Sequence, residues 1–196
     1  MDKAPSVWRA FAEYAQERAP DERLLRAIKL VTEKETALDM GAGALNETKV
    51  LLNEGFRTVI ALDAEPGIAE RAKGIEGNER LEVVVSRFEA YEFPINTFDL
   101  INARYSLPFI PPDVFEEVFQ RMKGSLKPGG IFLGQLFGNS DCRNAVERIT
   151  THSRTEVEQL LADMEVLELQ ENEYDGPTYR DGIQHWHVFN VLARRR

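Results

Sequence analysis

Short apolar runs rich in β-branched residues alternate with helical patterns along most of the chain. The runs predict seven strands, and between them the apolar positions take helical spacing. Such an alternation predicts an α/β fold whose mostly parallel sheet carries helices on both faces. Ligands bind such sheets beyond the carboxyl ends of the strands, where the strand order reverses. The predicted strands are residues 36–40, 58–63, 81–85, 98–102, 131–136, 166–169 and 183–192.

Helix and turn signals occupy the spaces between these strands. Apolar residues recur at helical spacing from Val114 to Leu126, and the residues that follow, KPGG, end that pattern. Ser153 and Glu156 have the spacing of a capping box, which predicts the start of another helix. The polar residues 171–181 predict a long turn between the last two strands.

Composition and charge exclude several classes of protein. The chain has 196 residues, 43% hydrophobic and 29% charged, and we expect residues 1–196 to form a single globular domain. Its 33 acidic residues outnumber the 24 basic ones, and the net charge of −9 argues against nucleic acid as a partner. No apolar run suits a membrane span or a signal peptide, so no membrane partner is expected. Cys142 is the only cysteine, which fits a cytoplasmic protein.

A glycine loop follows the first predicted strand. Residues 37–48 read ALDMGAGALNET, in which Gly41 permits a tight turn with positive φ and Gly43 permits close approach of a ligand. The free N–H groups of the helix that follows suit an anionic group of that ligand. The loop therefore predicts a nucleoside site, although glycine turns with a purely structural role also follow strands.

The residues around the loop narrow the choice of ligand. A dinucleotide site needs a small residue where this chain has Asn46, and the bulky Leu45 precedes it. Asp39 favours a ligand with an amino group and a positive centre, because a carboxylate accepts its hydrogen bonds and balances its charge. Asp63 ends the second strand, 20 residues after Gly43, where a carboxylate can bond both ribose hydroxyls. By itself, Asp63 would equally fit an acid that flanks a helix.

The motifs ALDMGAG, VIALDAEP, FDLINA and LKPGGIF occur in this order. With them the chain resembles the class I S-adenosylmethionine-dependent methyltransferases over about residues 8–194. The segments NARYSLPFIPP, GQLFGNSD, HSRTEV and HWHVFNVLAR are similar to those of the small bacterial tellurite-resistance-type methyltransferases. The resemblance implies a Rossmann-like three-layer sandwich whose seven-stranded, mostly parallel sheet has an antiparallel last strand. It also implies S-adenosyl-L-methionine as the cofactor.

The resemblance implies roles for individual residues as well. The loop after the first strand would hold the methionine part of the cofactor, the second strand end its ribose, and the segment after the third strand its adenine. The end of the fourth strand would line the methyl-transfer face, where Arg104 and Tyr105 are the candidate catalytic residues. The implied cofactor-binding residues are Asp39, Gly41, Ala42, Gly43, Asp63, Ala64, Arg87, Phe88, Asn102 and Ala103.

Two positions depart from the family pattern. Many relatives have a third glycine where this chain has Leu45, so the following helix must pack differently on the strand. The acid that often bonds the adenine amino group is replaced by Arg87. Adenine would then depend on backbone groups and on stacking against a ring such as Phe88.

Methyl transfer from a sulfonium depends mainly on alignment, so no conspicuous catalytic constellation is expected. An anionic acceptor could be guided by Arg104 or by Arg143, although both also fit plain surface arginines. His185 and His187 lie two residues apart on a predicted strand and share one face. No metal is expected there, because zinc would need further ligands. The resemblance alone would place one of the two histidines at the substrate cavity.

Residues 1–34 are expected to form N-terminal helices that cover the cofactor site. Val7, Trp8, Phe11 and Tyr14 form a helical stripe in this segment. Such a stripe fits either a flap over the cofactor or plain packing against the core.

These observations predict an S-adenosylmethionine-dependent methyltransferase that acts on a small-molecule acceptor, as a monomer or homodimer. The acceptor could be a tellurium or selenium oxyanion, a thiol or a small carboxylate. One alternative is a nicotinamide-dependent Rossmann oxidoreductase, which shares the glycine loop and Asp63. The other is a non-catalytic cofactor-binding methyltransferase homologue, which the departures from the family pattern at Leu45 and Arg87 support.

Overall fold

The alternating pattern folds into strands joined by helices. The computed structural model describes residues 7–15, 19, 21–75, 79–178 and 182–196. None of the helices described there is long and apolar enough to cross a membrane. The helices are α1 (Val7–Ala15), α2 (Glu22–Lys29), α3 (Asn46–Asn53), α4 (Gly67–Ala72), α5 (Pro112–Ser125) and α6 (Arg154–Leu160). The strands are β1 (Thr36–Met40), β2 (Thr58–Asp63), β3 (Leu81–Val85), β4 (Phe98–Ala103), β5 (Leu126–Gly138), β6 (Thr151–His152), β7 (Met164–Pro177) and β8 (Ile183–Arg195).

The described strands form a mixed sheet in the order β3-β2-β1-β4-β5-β8-β7. Strands β1 to β5 pair in parallel, whereas β8 pairs antiparallel with both β5 and β7. The last strand is therefore antiparallel, as predicted. The two-residue strand β6 pairs with the end of β5 and was not predicted, because two residues carry no readable alternation. The strand order reverses at β1, whose neighbours are β2 and β4.

Successive side chains of the strands pack against helices on opposite faces of the sheet. In β1, Leu38 packs in a cluster with residues of α5 and α6, whereas Ala37 packs in a cluster with residues of α2 and α3. The sandwich thus has three layers, and the predicted Rossmann-like α/β fold is confirmed. Large buried rings supply much of the core: Phe56, Phe98, Phe119, Phe132, Phe137 and Phe189.

Helix α6 begins as its local sequence predicts. The side chain of Ser153 accepts a hydrogen bond from the backbone N–H of Glu156 (3.3 Å). The carboxylate of Glu156 in turn accepts one from the backbone N–H of Ser153 (2.6 Å). Both donors would otherwise be unpaired at the start of the helix, so the capping box fixes where α6 begins.

The prediction of a long turn over residues 171–181 is wrong. Strand β7 continues to Pro177 and pairs with β8 along its length, while the last three residues of the predicted turn lie outside the described residues. Polar side chains link the two strands, since the His185 ring bonds Asp175 (2.8 Å) and Glu173 (3.0 Å). A strand stabilised by such pairs lacks the apolar alternation that predicts strands from sequence.

Candidate active site

A cavity of about 260 Å³ opens at the carboxyl ends of β1, β2 and β4, where the strand order reverses. The loop after β1, the turn after β3 and helix α1 complete its lining. Of the twelve predicted site residues, Ala103 is buried in the sheet and does not line the cavity. The roles of the others remain predictions. The eleven that line it are Asp39, Gly41, Ala42, Gly43, Asp63, Ala64, Arg87, Phe88, Asn102, Arg104 and Tyr105.

Gly41 occupies a position that suits glycine alone. Its φ is +77°, and a Cβ atom there would lie 2.5 Å from the Cβ of Ser106. Its N–H donates to the carbonyl of Leu62 at the end of β2 (2.7 Å). Gly43 also has a positive φ, +43°. The predicted tight turn is therefore present, and it places both glycines in the cavity wall.

Leu45, which stands where many relatives have glycine, keeps a glycine-like backbone. Its φ is +64°, a left-handed conformation that costs a leucine roughly 1–2 kcal/mol. Its side chain is buried against Ala42, Ala61 and Ile68. Burial of the leucine offsets the backbone strain, so α3 starts directly after the loop without a third glycine.

Asp39 lines the cavity although it is only 2% exposed. Its carboxylate accepts hydrogen bonds from Thr48 Oγ1 (2.6 Å) and Asn102 Nδ2 (2.8 Å). Burial, together with the nearby acids Glu47 and Asp63, outweighs the lowering effect of the two hydrogen bonds and raises the pKa of Asp39 to about 7. A positive group on a ligand would favour the charged form of Asp39.

Asp63 positions the glycine loop in addition to lining the cavity. Its two oxygens accept the backbone N–H groups of Gly43 (2.9 Å) and Glu65 (2.8 Å). Arg71 supports the same loop, because its Nε donates to the Gly43 carbonyl (2.9 Å) and its Nη2 pairs with Glu65 (2.9 Å). Arg71 and Glu65 also line the cavity and were not predicted. An acid just before a short helix and an arginine in its last turn give no sequence signal of this arrangement.

The segment after β3 brings an aromatic ring and a second acid to the cavity. Phe88 begins a 3-10 turn, and its Cζ would lie 3.7 Å from a Cβ atom on Gly41. Arg87 is exposed and pairs with Glu89 (2.5 Å), which also lines the cavity. Glu89 was not predicted from the sequence. It supplies a carboxylate two residues after Arg87, the residue that stands in place of the acid of the family pattern.

Arg104, the candidate guide for an anionic acceptor, is buried and ion-paired. Its side chain is 3% exposed and forms an ion pair with Asp21, the residue that caps the start of α2. Its Nη2 also donates to the Tyr105 hydroxyl (3.0 Å). Because Asp21 balances the charge of the guanidinium, Arg104 offers an incoming anion little net attraction. Asp21 and Arg104 are distant in the sequence, so no local pattern predicts their ion pair.

Three buried polar atoms of cavity residues have no hydrogen-bond partner among the described residues. They are Oδ1 of Asn102, Nε of Arg104 and Oγ of Ser106. A buried polar group without a partner costs about 1–3 kcal/mol. In the cavity, a bound molecule or a water can supply these partners.

The cavity is acidic. Six carboxylates and three arginines line it, which leaves a surplus of three negative charges when every group is ionised. Each arginine pairs with one carboxylate, and the pairs are Arg71–Glu65, Arg87–Glu89 and Arg104–Asp21. The carboxylates without a lysine or arginine partner among the described residues are Asp39, Glu47 and Asp63. This balance favours a cationic ligand.

Helix α1 contributes one wall of the cavity, through residues that include Trp8 and Ala15. The Trp8 ring packs edge to face against Phe109, with centroids 4.6 Å apart. Asn46 Nδ2 donates to the carbonyl of Ala15 (2.6 Å) and so joins α3 to the end of α1. Part of the predicted covering segment 1–34 lies outside the described residues, and its role as a cover remains a prediction.

The other candidate residues lie away from the cavity. Arg143 bonds both oxygens of Asp141 (2.7 and 2.9 Å), and its guanidinium carbon lies 3.7 Å from the ring centroid of Phe137. His185 and His187 bond acids of β7 and are not among the cavity residues, contrary to what the resemblance suggested for one of them. Within the described part of the chain, no group of three or more His, Cys, Asp or Glu side chains could hold a metal ion.

Comparison with known families and structures agrees with this geometry. A family model described as a methyltransferase domain matches residues 38–134. TehB from Haemophilus influenzae is 18% identical with a TM-score of 0.78, and the alignment covers 95% of this chain and 66% of TehB. The 1,6-didemethyltoxoflavin-N1-methyltransferase of Burkholderia thailandensis, solved with 1,6-didemethyltoxoflavin and S-adenosylhomocysteine, is 21% identical with a TM-score of 0.64 and coverages of 100% and 93%. A SAM-dependent methyltransferase of Methanosarcina mazei is 16% identical with a TM-score of 0.66 and coverages of 86% and 96%.

At these identities, the solved structures establish the fold alone. The chain spans 66% of the length of the TehB structure, so the activity of that whole protein is not carried over. No curated protein sequence matches the chain. The family match and the fold together confirm the predicted methyltransferase class.

Proposed function

Since residues 38–134 form a methyltransferase domain of the class I fold, we propose that this protein transfers the methyl group of S-adenosylmethionine to a small molecule. The observation that carries the proposal is the acidic cavity beside the glycine loop, in which buried polar atoms lack partners. The bound S-adenosylhomocysteine of the Burkholderia thailandensis relative supports the same cofactor here.

The cavity suits S-adenosylmethionine in charge and in shape. The surplus of carboxylates matches the sulfonium and ammonium groups of this cofactor. The unpaired Oδ1 of Asn102 is an acceptor, which an ammonium group can satisfy. Gly41 lets Ser106 pack directly against the loop in the cavity wall, where a Cβ atom would overlap it.

The residues that would hold the cofactor follow from this placement. Asp39 and the backbone of Gly41 and Gly43 would bind its methionine part, and Asp63 its ribose. Phe88 would meet the adenine ring by stacking, because an aromatic face suits a planar base.

When bound, S-adenosylmethionine supplies a methyl group activated by the positive charge on its sulfur. The chain then has to orient the acceptor and to exclude water. Asp63 and Arg71 hold the glycine loop, and the packed rings of Trp8 and Phe109 would shield one side of the cavity from water. Alignment of two reactants in this way reaches effective molarities of about 10⁵ M or more, so no strong base is required.

We propose a small acceptor because α1 walls off one side of the cavity that would hold both molecules. The resemblance suggests a tellurium or selenium oxyanion, a thiol or a small carboxylate. The 1,6-didemethyltoxoflavin of the Burkholderia thailandensis enzyme adds a heteroaromatic ring to these classes. We further propose a cytoplasmic monomer or homodimer that binds neither nucleic acid nor membrane, in keeping with its net charge of −9.

The acidic cavity does not favour the alternative of a nicotinamide-dependent oxidoreductase. A dinucleotide would bring two phosphate charges to a cavity that already has surplus carboxylates. No observation in the structure favours a cofactor-binding protein without turnover.

Calorimetric titration with S-adenosylmethionine tests the proposal, with glycine variants as the matched pair. Gly41→Ala should weaken binding at least about 100-fold, because its Cβ would meet Ser106 at the cavity wall. Gly129→Ala is the control, since Gly129 has a similar φ of +81° but open space around it. The Gly129→Ala substitution therefore imposes similar backbone strain, and the variant should bind S-adenosylmethionine with the affinity of the wild type. Equal affinities of the two variants, or no binding by the wild type, would refute the proposed cofactor site.

A further inference from the structure

The ion pair between Asp21 and Arg104 determines which charges the cavity offers to an acceptor. One carboxylate oxygen of Asp21 contacts the guanidinium, and the other accepts the backbone N–H of Arg23 at the start of α2 (2.7 Å). The carboxylate is therefore fixed from two sides. The oxygen that contacts Arg104 also lies 3.9 Å from the guanidinium of Arg23, and the Asp21 side chain is 24% exposed, whereas that of Arg104 is 3% exposed. Turning Arg104 toward another anion would separate this buried guanidinium from its carboxylate, which is unfavourable.

The rest of the cavity gives a negatively charged acceptor no compensation. The other two lining arginines, Arg71 and Arg87, are likewise paired with carboxylates. S-adenosylmethionine has a net charge of +1, from two cationic groups and one carboxylate, and so cancels only part of the surplus of three negative charges. An oxyanion, a thiolate or a carboxylate would enter against net repulsion.

Aromatic rings form part of the cavity lining. Trp8, Phe11, Tyr105 and Phe109 all contribute to it. Aromatic side chains pack favourably against the faces and edges of a planar guest. Two buried atoms of the same cavity, the donor Nε of Arg104 and the hydroxyl of Ser106, have no hydrogen-bond partner within the described part of the chain. A neutral ring with a polar atom at its edge would satisfy both.

Building on the function proposed above, we propose that the acceptor is an uncharged aromatic molecule with a neutral nitrogen nucleophile, and that Asp21 sets this preference by neutralising Arg104. A neutral nitrogen attacks with its lone pair and needs no prior deprotonation, whereas a thiol or phenol would first have to become an anion. In the transfer, the nitrogen–carbon bond forms while the sulfur–carbon bond breaks and sulfur keeps the electron pair. The N–H proton then leaves the methylated nitrogen for solvent.

Two probes of equal shape and different charge test this preference. Para-aminobenzamide and para-aminobenzoate share the ring and the amine, and only the second is an anion at neutral pH. Their binding is measured by calorimetry with S-adenosylhomocysteine present, and their methylation with S-adenosylmethionine. The wild type should bind and methylate the amide at least about 10-fold better than the acid.

The Asp21→Asn variant tests the charge of Asp21 apart from its role as the cap of α2. The asparagine keeps an oxygen that can cap α2 and removes the charge that neutralises Arg104. This variant should bind the acid at least about 10-fold better than the wild type does and should change little toward the amide. The matched control is Asp113→Asn, which removes an exposed acid from the first turn of α5 and should leave both affinities unchanged.

The outcomes distinguish this inference from the function on which it rests. If the cofactor binds but the Asp21→Asn substitution leaves the preference between the probes unchanged, only the inference is overturned. Wild-type preference for the acid, turnover of selenite or tellurite in place of both probes, or failure of both probes to bind would also overturn it. If S-adenosylmethionine itself does not bind, the proposed function fails first.

Discussion

Asp39→Asn should stabilise the cofactor-free protein at neutral pH and weaken its binding of the cofactor. Burial raises the pKa of Asp39 from its ordinary value to about 7, so the folded chain holds a proton that the unfolded chain has released. Asparagine has nearly the same shape. Its oxygen can accept from Asn102 and its amide can donate to Thr48, so both hydrogen bonds of the buried carboxylate have replacements.

The magnitude follows from linkage. Between about pH 4 and about pH 7, folded Asp39 binds more protons than unfolded Asp39, so the free energy of unfolding falls as pH rises. The slope is about 1.4 kcal/mol per pH unit for one proton. The advantage of Asp39→Asn over the wild type should therefore grow across this window and level off at about 4 kcal/mol above pH 7.

Urea unfolding of both proteins at several pH values between pH 5 and pH 8 measures this difference. Other groups titrate alike in both proteins, so their effects on the free energy of unfolding cancel in the difference. Thr48→Val removes a hydrogen bond that lowers the pKa of Asp39, so the slope should then extend above pH 7. A difference between Asp39→Asn and the wild type that does not vary with pH would refute the reasoning. In calorimetry, Asp39→Asn should lose more affinity for S-adenosylmethionine than for S-adenosylhomocysteine, which lacks the sulfonium charge.

Two further predictions concern the base of the sheet and the wall formed by α1. Asp99→Ala should lower the free energy of unfolding by about 3 kcal/mol, because Asp99 accepts hydrogen bonds from the N–H of Thr36 (2.8 Å) and from Lys127 (2.8 Å). A loss below about 1 kcal/mol, measured by urea unfolding, would contradict this prediction. Trp8→Ala removes the ring that packs on Phe109 and should raise the dissociation rate of S-adenosylmethionine about 10-fold in stopped-flow measurements. An unchanged rate would show that α1 does not retain the cofactor.

The sequence determined most of the elements and the strand ends at which a ligand site was predicted. An apolar run followed at once by Gly41 and Gly43 fixes a strand end and a tight turn, because both features depend on neighbouring residues. Asp63 could be placed at the end of the next strand for the same reason. Once the alternation of strands and helices predicts a parallel sheet, these strand ends have to meet at one edge.

Only the tertiary structure determined which charged groups pair and which side chains meet at the carboxyl ends of the strands. The pairing of Asp21 with Arg104 joins a helix cap to the end of β4, and no local pattern records it. The polar hairpin of β7 and β8 is likewise visible only in contacts such as His185–Asp175. Periodicity reports the environment of a residue relative to neighbours within a few positions. Ion pairs and unpaired buried atoms depend on which strands become adjacent, and this is settled only when the whole chain packs.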